Sequence, residues 1–150
     1  AIYFRMASRF SPEKAELGWF WLDMGMQEKQ HAGLLQFCIA EELFAADLPG
    51  DKEVQKLAAL FDKLLKRASD HDLTVEDAFQ VAIQLETSEA NTIYDRLTTS
   101  LHSSRYLLRR KIATMLPDHV AHLLKEARRC CVPEETLKEL QHLASKKESE

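Results

Sequence analysis

The sequence predicts an all-α protein, and three observations carry that prediction. Apolar residues recur at alternating steps of three and four along long stretches of the chain. Only four Gly and four Pro occur in 150 residues, too few to punctuate a sheet protein. Leu, Ala, Glu and Lys, all strong helix formers, are abundant. With 45% hydrophobic residues the chain can bury one core, so a single domain over 1–150 is expected.

The elements follow in order. Ile2, Met6 and Phe10 already stand at helical spacing with no capping residue before them, so a first helix over 1–9 is expected to begin upstream of Ala1. Ser11-Pro12-Glu13 offers an N-cap, a proline for the first helical position and an acid for the first turn, which predicts a second helix over 12–46, ending before Pro49-Gly50. Val54, Leu57, Phe61, Leu64 and Ala68 share one face of a third segment, 51–69. Thr74 can cap a long helix over 75–101. Ser103 or Ser104 can start another that runs to 129, with Pro117 as a bend within it. Pro133-Glu134 opens a short last helix carrying Leu137 and Leu140, and 146–150 should fray.

Charge and composition exclude several function classes. A formal charge of −4 and a pI near 5.9 argue against a nucleic-acid partner, and Arg105, Arg109, Arg110 and Lys111 read as a solvated helix face. No apolar run approaches the roughly 18 residues of a membrane span and no signal-peptide pattern opens the chain, so a cytoplasmic protein without a membrane partner is expected. Cys38, Cys130 and Cys131 lack metal-ligand spacing and fit reduced thiols. No phosphate-binding loop or nucleophile-elbow motif is present.

Three apolar stripes carry ionisable residues where core side chains should be. The first is Leu17, Trp21, Met24, Glu28, His31, Leu35 and Cys38; the second is Phe79, Ile83, Glu86, Ala90, Ile93 and Leu97; the third is Leu108, Ile112, Met115, His119 and His122. An unpaired buried charge costs several kcal/mol, so three coincidences call for one cause. A shift of 91 positions aligns about 32 residues without gaps and keeps the stripes in phase. Ile2-Tyr3 falls on Ile93-Tyr94, Arg5 on Arg96, Leu17 on Leu108, Met24 on Met115 and His31 on His122. Two copies of one helical hairpin, joined by the segment at 51–69, make a four-helix bundle of the crossover type.

Within such a bundle Glu28-x-x-His31 sets two metal ligands on one helical face, and Glu86 adds a carboxylate from another helix. Glu89, three residues beyond Glu86, points to nearly the same side. His119-x-x-His122 stands where a second Glu-x-x-His pair would complete a dinuclear carboxylate centre.

The stretch LGWFWLDMGMQEKQHAGLL resembles the second helix of the rubrerythrin and ferritin-like family, and LETSEANTIYDRL its third. The resemblance covers most of 1–128. It implies a di-iron or di-manganese centre that reacts with dioxygen or peroxide, as a peroxidase or ferroxidase would, or that handles iron. The family's fourth-helix motif begins with Glu, whereas position 119 is His. Fewer carboxylates and more imidazoles suit a mononuclear site at least as well, with iron, manganese or zinc as the ion. The expected ligands are Glu28, His31, Glu86, Glu89, His119 and His122. A homodimer is the expected assembly, with Trp19, Phe20 and Trp21 divided between core and a subunit contact. The alternative is a ferritin-like bundle without its metal, in which the same residues form a buried ion-pair network. In that case Glu86 is a carboxylate hydrogen-bonded to Tyr3 or Tyr94.

Overall fold

The computed structural model describes residues 1–43, 49–88 and 119–147. Among them the chain is all-α, with six helices: α1 (Ile2–Phe10), α2 (Ala15–Ala40), α3 (Asp51–Ala68), α4 (Val75–Glu86), α5 (His119–Arg129) and α6 (Glu134–Lys147). None of the described helices is long and apolar enough to cross a membrane. The basic cluster at 105–111, Pro117 and Glu89 lie outside the described residues.

α1 and α2 form an antiparallel hairpin. Phe4 faces Gly25 and Ser11 faces Gly18, pairs whose numbers run in opposite directions. The turn between them corrects the expected start of α2. Ser11 ends α1 rather than capping α2: its hydroxyl donates to the Ala7 carbonyl at 2.7 Å and its N–H to the same oxygen. The Phe10 carbonyl accepts from the Lys14 N–H at 2.7 Å, so Pro12 lies in the turn and α2 starts at Ala15. α2 also stops before the expected 46. Glu42 takes a left-handed φ of 51°, and the Leu43 N–H donates to the Cys38 carbonyl while that of Glu42 donates to Ile39, a Schellman ending without glycine. Leu43 and Cys38 are both buried there.

α3 begins as expected, with Glu53 accepting from the Gly50 N–H at 3.0 Å. Its C-terminal half supplies Leu64 and Ala68 to the core, but Val54 and Phe61 stay exposed. Thr74 caps α4 as its sequence suggested, accepting from the Asp77 N–H at 3.1 Å while Asp77 accepts from the Thr74 N–H at 3.0 Å. Arg67, at the end of α3, pairs with Asp77 at 2.7 Å and ties the two helices. α4 ends at Glu86, well short of 101. Thr87 and Ser88 turn their hydroxyls back onto the carbonyls of Ile83 and Leu85, at 2.8 and 2.7 Å, a local competition that these residues offer to helix continuation. α5 closes at Arg129 with a second glycine-free Schellman ending through Cys131, whose φ is 53°.

One core gathers side chains from all six helices around Trp21 and Phe79, whose ring centroids lie 5.2 Å apart. Tyr3 stacks on Trp21 at 5.8 Å. α1 packs chiefly on α2 and also on α3; α4 touches α3, α5 and α6; α5 lies on α6. Tyr3, Glu86 and the middle of α2 are thereby brought to one level.

The hairpin depends on one close approach. A Cβ at Gly18 would sit 2.8 Å from the Ser11 Cα, whereas one at Gly33 meets nothing within 4 Å. Gly18→Ala should therefore lower stability in chemical unfolding by about 1–2 kcal/mol despite its gain in helix propensity. Gly33→Ala should raise it by about 0.5–1 kcal/mol. Effects of the same sign at both positions would contradict this packing.

Candidate metal centre

Four helices meet at a chain of polar groups. Tyr3 comes from α1, Glu28 and His31 from the middle of α2, Glu86 from the last turn of α4, and His119 from α5. The His119 Nδ1 lies 3.1 Å from Glu28 Oε1 and 3.3 Å from Glu86 Oε1. The Tyr3 hydroxyl donates to the same Glu86 oxygen at 3.3 Å. On the other flank, His31 Nδ1 lies 3.8 Å from Glu28 Oε2, and the His31 and His119 rings stack with centroids 5.3 Å apart.

The local sequence explains each position. On α2, Leu17, Trp21 and Met24 are buried at steps of four and three. The next members of that series are Glu28 and His31. Glu86 continues Phe79 and Ile83 by a step of three, and its side chain is only 5% exposed. That carboxylate sits at a helix C-terminus, where the macrodipole disfavours it, so the Tyr3 hydroxyl and the His119 imidazole are what offset its burial. His119 is buried with Val120, Leu123 and Ala127 on the inner face of α5.

Of the six ligands expected from the sequence, the structure brings four together: Glu28, His31, Glu86 and His119. Glu28 is less buried than its stripe position implied, with 46% of its side chain exposed. His122 is not among the four. The inner face of α5 runs from His119 to Leu123 and Ala127 in steps of four, and a step of three leaves His122 exposed. There it faces a shallow groove beside Asp23 and Gln27. Glu89 lies outside the described residues. Of the two tyrosines expected as partners for Glu86, Tyr3 makes the contact and Tyr94 lies outside the described residues.

The electrostatics follow from the geometry. Burial works against an imidazolium at His119, but the carboxylates of Glu28 and Glu86 outweigh it and hold the ring up at about 9. Burial alone would raise Glu28, yet His119 and His31 beside it bring its carboxyl down to about 2. Burial, reinforced by Glu86 and Glu28, pushes the Tyr3 phenol well above its ordinary range. Nε2 of His119 is buried with no hydrogen-bond partner among the described residues.

The donor set also fits a metal. Glu28, His31 and His119 each present a ligand atom within 4.8 Å of the others. Bonds of about 2.1 Å place three such atoms about 3.0–3.4 Å apart, so the side chains would have to close in by as much as about 1.5 Å to hold one ion. Two imidazoles, which are borderline donors, together with one hard carboxylate suit iron or zinc. No protein-family model matches the chain, and neither a curated protein nor a solved structure matches it.

For the metal-free chain the sign of the pH dependence is fixed. His119 goes from an ordinary 6.5 to about 9 on folding, so its stabilisation is complete below 6.5 and is lost as pH rises through about 9. Glu28 goes from 4.5 to about 2, so its stabilisation is complete above 4.5 and is lost as pH falls through about 2. Urea unfolding should give highest stability between those windows and an alkaline decline that His119→Gln flattens. A decline unchanged by His119→Gln would assign it to another group.

Proposed function

We propose that this chain is a ferritin-like helical bundle, akin to the rubrerythrins, that binds one divalent transition metal, iron foremost, between α2 and α5. The observation that carries the reading is that Glu28, His31 and His119, from two helices, bring one ligand atom each within 4.8 Å of one another. Two histidines and one carboxylate form the donor set of non-haem ferrous sites that keep open positions. The exposed placement of His122 favours one ion over two, since it takes the second histidine of α5 away from the cluster.

Each residue has a distinct task. Glu28 contributes charge and stands between the two imidazoles, within reach of both. His31 and His119 contribute nitrogen ligands, and His119 must release its proton to do so, which makes metal uptake proton-coupled. Glu86 stays at the inner wall, where it accepts from Tyr3 and orients the His119 ring. A ferrous ion held there would supply open coordination positions and reducing power toward dioxygen or peroxide. Iron handling or peroxide reduction is the activity class that follows.

A second reading rests on one specific observation. The His119 imidazole already lies between Glu28 and Glu86, so a proton can serve as the cation and the cluster can be a structural ion-pair network. Metal retention separates the two readings. After anaerobic incubation with ferrous iron and desalting, the folded chain should retain about one iron, as a site of two histidines and one carboxylate requires. Glu28→Ala/His31→Ala should retain none, and His122→Ala should match the unaltered chain. Absence of retained iron in all three would leave the structural network; loss in His122→Ala would return the ligand set expected from the sequence.

A further inference from the structure

The end of α5 sets two thiols side by side. Cys130 and Cys131 follow Arg129 directly, and both are free thiols. Their backbone is fixed by the Schellman ending, in which the Cys131 N–H donates to the Arg128 carbonyl and the Val132 N–H to that of Ala127. Cys131 is exposed and holds the left-handed φ of 53° that glycine favours. Cys130 is half-buried at a groove between the α1–α2 turn and the end of α5, beside Lys14 and Arg129. Its thiol donates to Glu126 Oε1 at 3.9 Å.

Adjacency decides what such a pair can hold. Consecutive Cα atoms stand about 3.8 Å apart, closer than the roughly 4.4–6.8 Å of disulfide-bonded residues, so direct closure to a disulfide is strained. An ion in line between two sulfurs, with bonds near about 2.3 Å, sets the sulfurs about 4.5 Å apart. Consecutive residues span that by side-chain rotation. Zinc would ask for four donors, and Cys38 cannot join them. It sits in the last turn of α2, about 35 Å from the first turn of that helix, which lines the groove. Glu126 is already held by Arg129 at 2.6 and 2.9 Å. Two soft thiolates alone satisfy a cuprous ion. Burial, with Glu126 beside it, pushes the Cys130 thiol up against the opposing pull of Arg129 and Lys14, so the thiol is not set up as a nucleophile.

We propose that Cys130 and Cys131 together form a binding site for one cuprous ion, held between their two sulfurs. Each thiol gives up its proton to solvent, two copper–sulfur bonds form, and copper remains Cu(I), so no electron is exchanged. The resulting unit carries one negative charge, which the Lys14 ammonium at the same groove complements. The site lies about 16 Å along α5 from His119 and takes a softer ion. The inference therefore goes beyond the iron reading and does not rest on it.

Anaerobic titration of the full, reduced chain with cuprous ion, in competition with a chromophoric Cu(I) chelator, tests it. The chain should retain one copper, and X-ray absorption should show sulfur neighbours alone. Cys131→Gly should weaken retention about 100-fold or more, the loss of an intramolecular second ligand. The same change should raise thermal stability, because glycine suits that backbone, so lost copper cannot reflect a lost fold. Cys130→Ser should weaken retention alike, whereas Cys38→Ala and Glu28→Ala/His31→Ala should match the unaltered chain. Undiminished retention in Cys131→Gly, one copper shared by two chains, nitrogen neighbours at the copper, or no retention by the folded chain would each overturn the proposal. Iron retention in Cys131→Gly should be unchanged, so failure here is distinct from failure of the metal centre.

Discussion

The buried imidazole of His119, held between the carboxylates of Glu28 and Glu86, is the interaction around which the described helices are arranged. A charge removed from water costs several kcal/mol unless it is paired and hydrogen-bonded. His119 on α5 finds its partners on α2 and α4, and Glu86 is fixed in turn by Tyr3 on α1. Shifting any one of these four helices by a single turn would strand a buried ionisable group. Apolar packing around Trp21 and Phe79 stabilises the bundle without direction, whereas the polar chain sets which turn of each helix stands at which level.

Much of this was legible in the sequence because its signals are periodic. Glu28, His31, Glu86 and His119 could be placed at one level by counting steps of three and four from Trp21, Phe79 and their neighbours. The capping pair Thr74 and Asp77 announced the start of α4, and Pro133 the space after α5. Helix ends were harder. α2 and α5 both stop in left-handed turns taken by Glu42 and Cys131, where no glycine marks the break. Ser11 and Thr87 end helices through hydroxyl bonds to carbonyls one turn back, a use of the same side chains that elsewhere start helices.

His122 was misplaced for a related reason. Steps of three and four are equally good continuations of a stripe, and the buried Leu123 decides in favour of four.

On the proposed reading, a proton and a metal ion compete for one set of ligands. Glu28 stands between two imidazoles and half open to solvent, whereas Glu86 is closed off from it. Anomalous X-ray scattering from crystals loaded with ferrous iron under argon, collected across the iron edge, tests this directly. The account predicts one anomalous peak within bonding distance of Glu28, His31 and His119, with Glu86 still accepting from Tyr3. A peak at His122, or none in crystals whose Glu28, His31 and His119 side chains are well ordered, would contradict it.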